Sequence, residues 1–240
     1  MNRLRLICLL MLLCDATASV GQELSKGALL YTNPMATKAD MNGWRMEGTG
    51  ETVFENGWMR MFSPNKKGHH VYWCPQQMPA NFIAEWEAQH VEDDAGLCIV
   101  FFAASGEKGQ DIFDASLPPR DGTFTQYTKG EINNYHISYY ANGKDDPGRL
   151  TANLRKNKGF HLVQTGQAGI PIHSLDVHRI KLVKWNGHIE LFVDERKVID
   201  WVDDGLALGK ILEGGRIGFR QMKWTNFAYR NFSVWECLKE

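Results

Sequence analysis

The stretch HRIKLVKWNGHIELFVDERKVIDWVDDG, His178 to Gly205, decides the fold. Ile180, Leu182 and Lys184 alternate with Lys181, Val183 and Trp185, and Asn186-Gly187 follows. Ile189, Leu191 and Val193 then alternate with Glu190, Phe192 and Asp194. Two period-two segments joined by Asn-Gly, a pair that accepts positive φ at low cost, predict a β-hairpin. A second turn at Asp194-Glu195 leads to Lys197–Trp201, Gly214-Gly215 opens a strand at Arg216–Met222, and AYRNFSVWEC (228–237) closes the run. The C-terminal third reads as short antiparallel strands.

The same rhythm extends upstream. Ala28–Tyr31, Trp44–Glu47, Thr52–Glu55, Trp58–Phe62, His69–Cys74 and Phe82–Ala88 read as strands divided by Gly, Pro and Asn-Gly breakers. Leu97–Ala103 is apolar on both sides, as suits a strand in mid-sheet with both faces covered. No repeat, heptad or helix longer than a turn or two is predicted. The fold class is all-β, a two-sheet antiparallel β-sandwich or jelly roll. The segment from Ala104 to Ile132 breaks the rhythm: long and rich in Gly, Pro and Asp, it contains Asp111, Phe113, Pro118-Pro119-Arg120 and Tyr127. Unstructured segments of this length bind something, are disordered or simply decorate the surface, and the aromatics favour a rim or lid over a site.

Arg3, Arg5, an apolar run Leu6–Leu13 and then small residues have the layout of a cleavable secretory signal over residues 1–21, cut after Ala18 or after Gly21. A lipoprotein reading at Cys14 is the weaker one, since Leu13 precedes it. Residues 22–240 are then one domain, periplasmic or secreted. A formal net charge of −1 offers no polybasic face for nucleic acid, and no basic amphipathic stretch marks a membrane surface. Cys74, Cys98 and Cys237 remain in the mature chain, as one disulfide plus a thiol or as three buried thiols.

Two strands carry an unusual polar side. In 134–140, Asn134, His136, Ser138 and Tyr140 alternate with Tyr135, Ile137 and Tyr139; in 149–155, Arg149, Thr151, Asn153 and Arg155 alternate with Leu150, Ala152 and Leu154. Alternation sends each set to one face. Solvated strand faces use Lys, Glu and Thr; these side chains instead hydrogen-bond directionally and clamp carboxylates. A shared concave pocket, roofed in part by the 104–132 segment, is expected, with a plain exposed face as the alternative.

GRIGFRQM, AYRNFSVWE and the WNGHIELFVDERKV hairpin resemble the closing strands of the concanavalin A-like lectin and glucanase superfamily. FIAEWEAQH, GLCIVFFAASGEKGQDIFD, NNYHISYY and NLRKNKGFHLV resemble more narrowly the YesU-like bacterial family, a domain of unknown function. The resemblance runs from about Leu29 to Cys237. It implies a concanavalin A-like jelly roll and a sugar-acid substrate, because such proteins accompany the breakdown of uronate-containing polysaccharides. It does not choose among lyase, dehydratase, hydrolase and lectin.

The residues narrow that choice. No Glu-x-Asp-x-x-Glu strand of a retaining glucanase is present, so hydrolysis has only Glu85 and Glu87 as a reserve pair. β-Elimination from a uronate needs its carboxylate neutralised, a base for the C5 proton and an acid for the leaving group. Arg155 and Asn153 suit the first task, His136 and Tyr140 the proton transfers, with Asn134, Ser138, Arg220, Arg120 and Trp73 as further substrate contacts. Arg220 is assigned to the concave face because Ile217 and Phe219 should face the core. The main expectation is a lyase or dehydratase acting on a uronate-containing oligo- or polysaccharide; the alternatives are a non-catalytic lectin-like module and then a glycoside hydrolase. No metal or cofactor is expected for catalysis; Asp93-Asp94 or Asp203-Asp204 are weak candidates for structural calcium. Lys156-Asn157-Lys158 reads as a solvated turn.

Overall fold

The computed structural model describes residues 23–92, 95–143 and 149–239. Its strands are β1 (Leu24–Asn33), β2 (Arg45–Gly48), β3 (Glu51–Glu55), β4 (Trp58–Phe62), β5 (His70–Met78), β6 (Phe82–His90), β7 (Gly96–Gly106), β8 (Ile132–Asn142), β9 (Thr151–Asn157), β10 (His161–Ala168), β11 (Val177–Trp185), β12 (His188–Val193), β13 (Arg196–Val202), β14 (Gly215–Gln221) and β15 (Asn226–Lys239). They form two antiparallel sheets. One runs β13-β12-β11-β6-β15-β4-β3, with β1 added against β15; the seven-stranded other runs β10-β9-β8-β7-β14-β5-β2. No helix of the described residues is long and apolar enough to cross a membrane.

The deciding stretch folds as its pattern dictates. Trp185 pairs His188 across the turn, with Asn186 at φ 50°, and Val193 pairs Arg196 across Asp194 and Glu195 at φ 50° and 67°. Alternation then buries Ile180, Leu182, Ile189 and Leu191 between the sheets. Trp86 on β6 anchors that interior, its ring 5.3 Å from Phe219 and 5.8 Å from Tyr139. Cys74, Cys98 and Cys237 are free, buried thiols, which settles the cysteine alternatives.

β7 is covered on both faces, as its all-apolar run predicts. Cys98, Val100 and Phe102 point between the sheets, while Ile99 and Phe101 point outward into a second cluster with Val71, Trp73, Ile112, Tyr127 and Ile132. The segment 107–131 therefore packs onto half of the seven-stranded sheet's outer face and has a small core of its own. Gly218 permits this, since a Cβ there would lie 2.4 Å from the Trp73 ring.

Polar locks hold the segment down. Glu47 accepts hydrogen bonds from Trp73 Nε1 (2.9 Å), Tyr127 Oη (2.8 Å) and Arg120 (2.7 and 3.1 Å). Arg216 grips Asp111 with two parallel bonds of 2.7 and 2.5 Å. Burial alone would raise the Asp111 carboxyl, but the Arg216 bonds bring it down to about 2.

Two expected ligand contacts are thereby corrected. Trp73 is fully buried, stacked on Phe101 at 5.8 Å, and Arg120 is committed to Glu47. A long loop can fold its own aromatics inward, and its composition cannot reveal that. Lys156 is corrected too: it is buried on the inward side of β9, and its ammonium pairs with Asp203 at 2.7 Å. Asp203 also receives the Tyr135 hydroxyl and the Gly205 amide, and Asp204 caps the Leu206 amide, so both carboxylates bond within the chain. Asp93-Asp94 and the signal segment lie outside the described residues.

Candidate functional site

The site grows from the pairing of β8 with β9. Register sets Asn134 opposite Asn157, His136 opposite Arg155, and Ser138 opposite Asn153, so the predicted polar sides do share one face. The alternation then breaks. Cys98 pairs Tyr140 while Ile99 pairs Ser138, which leaves Tyr139 as an extra residue in β8. This bulge turns Tyr140 inward. It lies in the core beside Phe227 with its hydroxyl 3.3 Å from His90 Nδ1, so the acid–base role expected for Tyr140 is corrected.

A cleft of about 220 Å³ opens over the remaining polar face. His136, Ser138, Arg149 and Arg155 line it together with Phe124, Phe160, Met222 and Trp224. Phe124 comes from the 107–131 segment and Phe160 from the β9–β10 turn. Neither was identifiable as a site residue from the sequence. The only signal was an aromatic residue within a glycine-bearing loop.

Asn134 and Asn157 form a relay behind His136. The Tyr127 carbonyl can only accept, so it takes the Asn134 amide hydrogen (2.8 Å); Asn134 Oδ1 then accepts from Asn157 Nδ2 (2.7 Å). The same Asn157 Nδ2 lies 2.8 Å from His136 Nδ1. Nδ1 must therefore accept, and the imidazole hydrogen sits on Nε2. Asn134 orients His136 through this chain and is itself fully buried, a correction to its expected ligand contact.

Arginines surround the imidazole. Burial first, then the charges of Arg155, Arg220 and Arg149, push His136 down to about 3, so it is neutral at physiological pH. Arg155 lies 3.9 Å over the Phe160 ring and donates to the Phe160 carbonyl at 3.1 Å. Among the described residues it has no carboxylate partner, and most of its five N–H donors remain available. Arg149 donates to Ser138 Oγ at 3.2 Å and, with the Asn153 amide in its satisfied orientation, to Asn153 oxygen at 2.6 Å. Ser138 and Asn153 thus position Arg149. Arg220 does share this outer face, but it is 2% exposed, roofed by Phe124 at 4.6 Å and bonded to the Gly122 carbonyl. It acts on the cleft through its field, a correction to direct contact.

Other polar clusters are occupied. Glu85 pairs with Lys26 (2.8 Å) and Glu87 with Arg230 (2.5 Å), and both line a second cleft of about 340 Å³ on the other sheet, away from His136 and Arg155. His188, Glu190 and Asp200 come within 4.8 Å of one another, but the Lys197 ammonium already bonds both carboxylates. Ser174, His178 and Asp194 form a hydrogen-bonded row (2.8 and 2.6 Å) that ties a loop to the β12–β13 turn, and none of the three lines the cleft.

Two antiparallel sheets in this order, with a cleft on the outer face of the seven-stranded one, define a galectin-like jelly-roll sandwich of the concanavalin A type. Within that class the chain belongs to the family described as Domain of unknown function (DUF1961), whose profile matches residues 28–234. It is 37% identical over 217 residues to the uncharacterized protein YesU of Bacillus subtilis (strain 168), spanning 89% of this chain and 98% of that one. A solved Bacillus subtilis protein of unknown function with a galectin-like fold superposes with a TM-score of 0.87 at 37% identity, covering 91% of this chain and all of that one. The fold alone is shared with the VIP36 exoplasmic/lumenal domain in its Ca²⁺/Man3GlcNAc-bound form (TM-score 0.61, 12% identity, 89% and 92% covered). It is likewise shared with the carbohydrate-binding module CBM66 from Bacillus subtilis (TM-score 0.53, 14% identity, 81% and 96% covered).

Proposed function

We propose that the cleft binds the carboxylate-bearing sugar of a uronate-containing oligo- or polysaccharide, as a carbohydrate-recognition protein. The observation that carries this reading is Arg155, a guanidinium lining the cleft with no carboxylate partner among the described residues, beside Arg149 and a neutral His136 that offers Nε2–H. Such a cluster favours an anion, and a planar fork matches a carboxylate with two bonds. Phe124, Phe160 and Trp224 supply the apolar surface that sugar rings pack against. The solved VIP36 and CBM66 structures share the sandwich and are, by their descriptions, mannose-bound and carbohydrate-binding, which supports a glycan as the ligand class.

β-Elimination is the less supported reading. It needs a base in the cleft, and His136 presents a hydrogen there while Tyr140 lies in the core. The geometry supports recognition over turnover. In this reading residues 22–240 act as one secreted or periplasmic domain after removal of the signal at residues 1–21. Calorimetry with galacturonate and glucuronate against galactose and glucose tests it: selective binding of the acids is expected, and equal or absent binding refutes it. Mass spectrometry of uronate oligosaccharides after incubation should show unchanged masses. Loss of water, an unsaturated end or added water would instead establish a dehydratase, a lyase or a hydrolase.

A further inference from the structure

The outer face of the eight-stranded sheet carries the second cleft. Its floor is three strands in unbroken register: Glu87 stands opposite Arg179 and Glu85 opposite Lys181 between β6 and β11, and Lys181 stands opposite Phe192 between β11 and β12. Period two sends these side chains outward, because the residues between them, Trp86, Ile180, Leu182, Leu191 and Val193, belong to the core. Both flanking strands are bulged. β15 passes from Arg230, opposite Glu87, to Ser233, opposite Glu85, with an extra residue and Asn231 at φ 55°; β13 carries Val198 as an extra residue between the partners of Leu191 and Phe192. Bulges bend and twist a strand. Between these two lies a cleft of about 340 Å³, lined also by Asn231 and by Glu195 from the β12–β13 turn. The floor carboxylates are held in place. Glu87 takes Arg230, which lies 4.1 Å over the Trp58 ring, and Glu85 takes Lys26, which lies 3.8 Å over the Trp235 ring. Each acid engages its cation through Oε2, and its Oε1 accepts no hydrogen bond among the described residues. Arg179 and Lys181 have no carboxylate within ion-pair distance among those residues, and Lys181 lies 4.2 Å over the Phe192 ring.

Acids and bases thus alternate at adjacent cross-strand positions, with Cβ atoms about 4.5–5.5 Å apart. A simple anion or cation meets an opposing charge at that spacing. A hydroxyl does not, since it donates to the carboxylate and accepts from the neighbouring guanidinium or ammonium. Adjacent ring hydroxyls fill both roles at once, and Phe192 supplies apolar surface for the face of the ring. From this arrangement we infer that the second cleft binds a neutral sugar residue, on the face of the sandwich opposite the acid-sugar cleft. It shares no lining residue with the first cleft and stands apart from the uronate reading. One protein then holds two glycan segments, one on each outer face.

The test is amide NMR of the native protein titrated with the methyl glycosides of galactose, glucose, mannose and xylose. At least one glycoside should give saturable shifts at Glu85, Lys181, Phe192 and Glu195, with a dissociation constant of roughly 10 mM or tighter, and an excess of galacturonate should leave those shifts in place. Phe192→Ala should weaken the binding roughly 2- to 13-fold. Arg179→Ala changes an exposed side chain, so the fold stays intact, and should weaken binding roughly tenfold or more. Shifts that are absent for every glycoside, or confined to the first cleft, overturn the inference. So does displacement of the glycoside by galacturonate, which would make this an anion site, and so does unchanged affinity in the folded Arg179→Ala protein. If acid sugars fail to bind at Arg155 while these shifts appear, the uronate reading alone falls.

Discussion

Replacing Arg155 with Ala removes a cleft cation that has no carboxylate partner among the described residues. The wild-type guanidinium gives one bond to the Phe160 carbonyl at 3.1 Å and stacks at 3.9 Å on that ring, so its remaining donors face the cleft. A charge-assisted hydrogen bond contributes about 1.5–3 kcal/mol, and a tenfold change in affinity corresponds to about 1.4 kcal/mol. Arg155→Ala should therefore weaken galacturonate binding by roughly 10- to 150-fold if the paired bonds count as one such contact. Arg155→Lys keeps the charge but loses the planar fork and the stacking, and should fall between the two. Folding should suffer by only about 1–2 kcal/mol, from one hydrogen bond and one cation–π contact. Calorimetry at low and high salt, with urea melts of each variant, separates these effects. Since β9 pairs β8 through its backbone, the variant should stay folded. A folded Arg155→Ala protein binding the acid sugar within about twofold of the parent would refute the carboxylate-clamp reasoning.

Acid should destabilise the protein: His136 is held down to about 3 and His69 and His70 to about 4, chiefly by burial, against about 6.5 in an unfolded chain. The unfolded state binds more protons in that window, so the stability is fully present above pH 6.5 and falls as pH drops toward about 3–4; an unchanged urea midpoint between pH 7 and pH 5 contradicts this. Tyr140→Phe should leave sugar binding untouched and cost about 1 kcal/mol of stability for its lost contact to His90, whereas weakened binding in a folded variant would put Tyr140 back in the site. Glu47→Gln leaves Arg120, with only 7% of its side chain exposed, without its ion-pair partner, which should cost about 3 kcal/mol and speed hydrogen exchange across 107–131; unaltered exchange there would show that Glu47 does not pin the segment. All three thiols should resist a thiol reagent until the protein unfolds, because burial raises Cys74 to about 12, Cys237 to about 11 and Cys98 further still.

The hairpins were legible because their signals are local: Asn186, Asp194 and Glu195 adopt left-handed backbone at the two turns, and period two fixes which side chains meet the core. The same periodicity placed His136, Ser138, Asn153 and Arg155 on one face. It failed at Tyr140 because tyrosines stand at both 139 and 140, so a bulge between them leaves no trace in hydrophobic pattern. Trp73, Arg120 and Arg220 failed for another reason. Parity set Trp73 and Arg220 on the outer face, but whether that face meets water depends on where a loop thirty residues or more away in sequence comes to rest. Phe124 and Phe160 were missed on the same ground. Lys156 looked solvated beside Lys158, and only strand parity continued two residues further would have sent it inward to Asp203.

The central claim is that the cleft recognises the negative charge of a sugar acid. Titrating the native protein with glucuronate and with its methyl ester isolates that charge, since the two differ at one carboxyl group. The acid should bind at least about tenfold more tightly than the ester, and the gap should shrink as salt rises. Equal affinity for acid and ester, at any salt concentration, would contradict the claim.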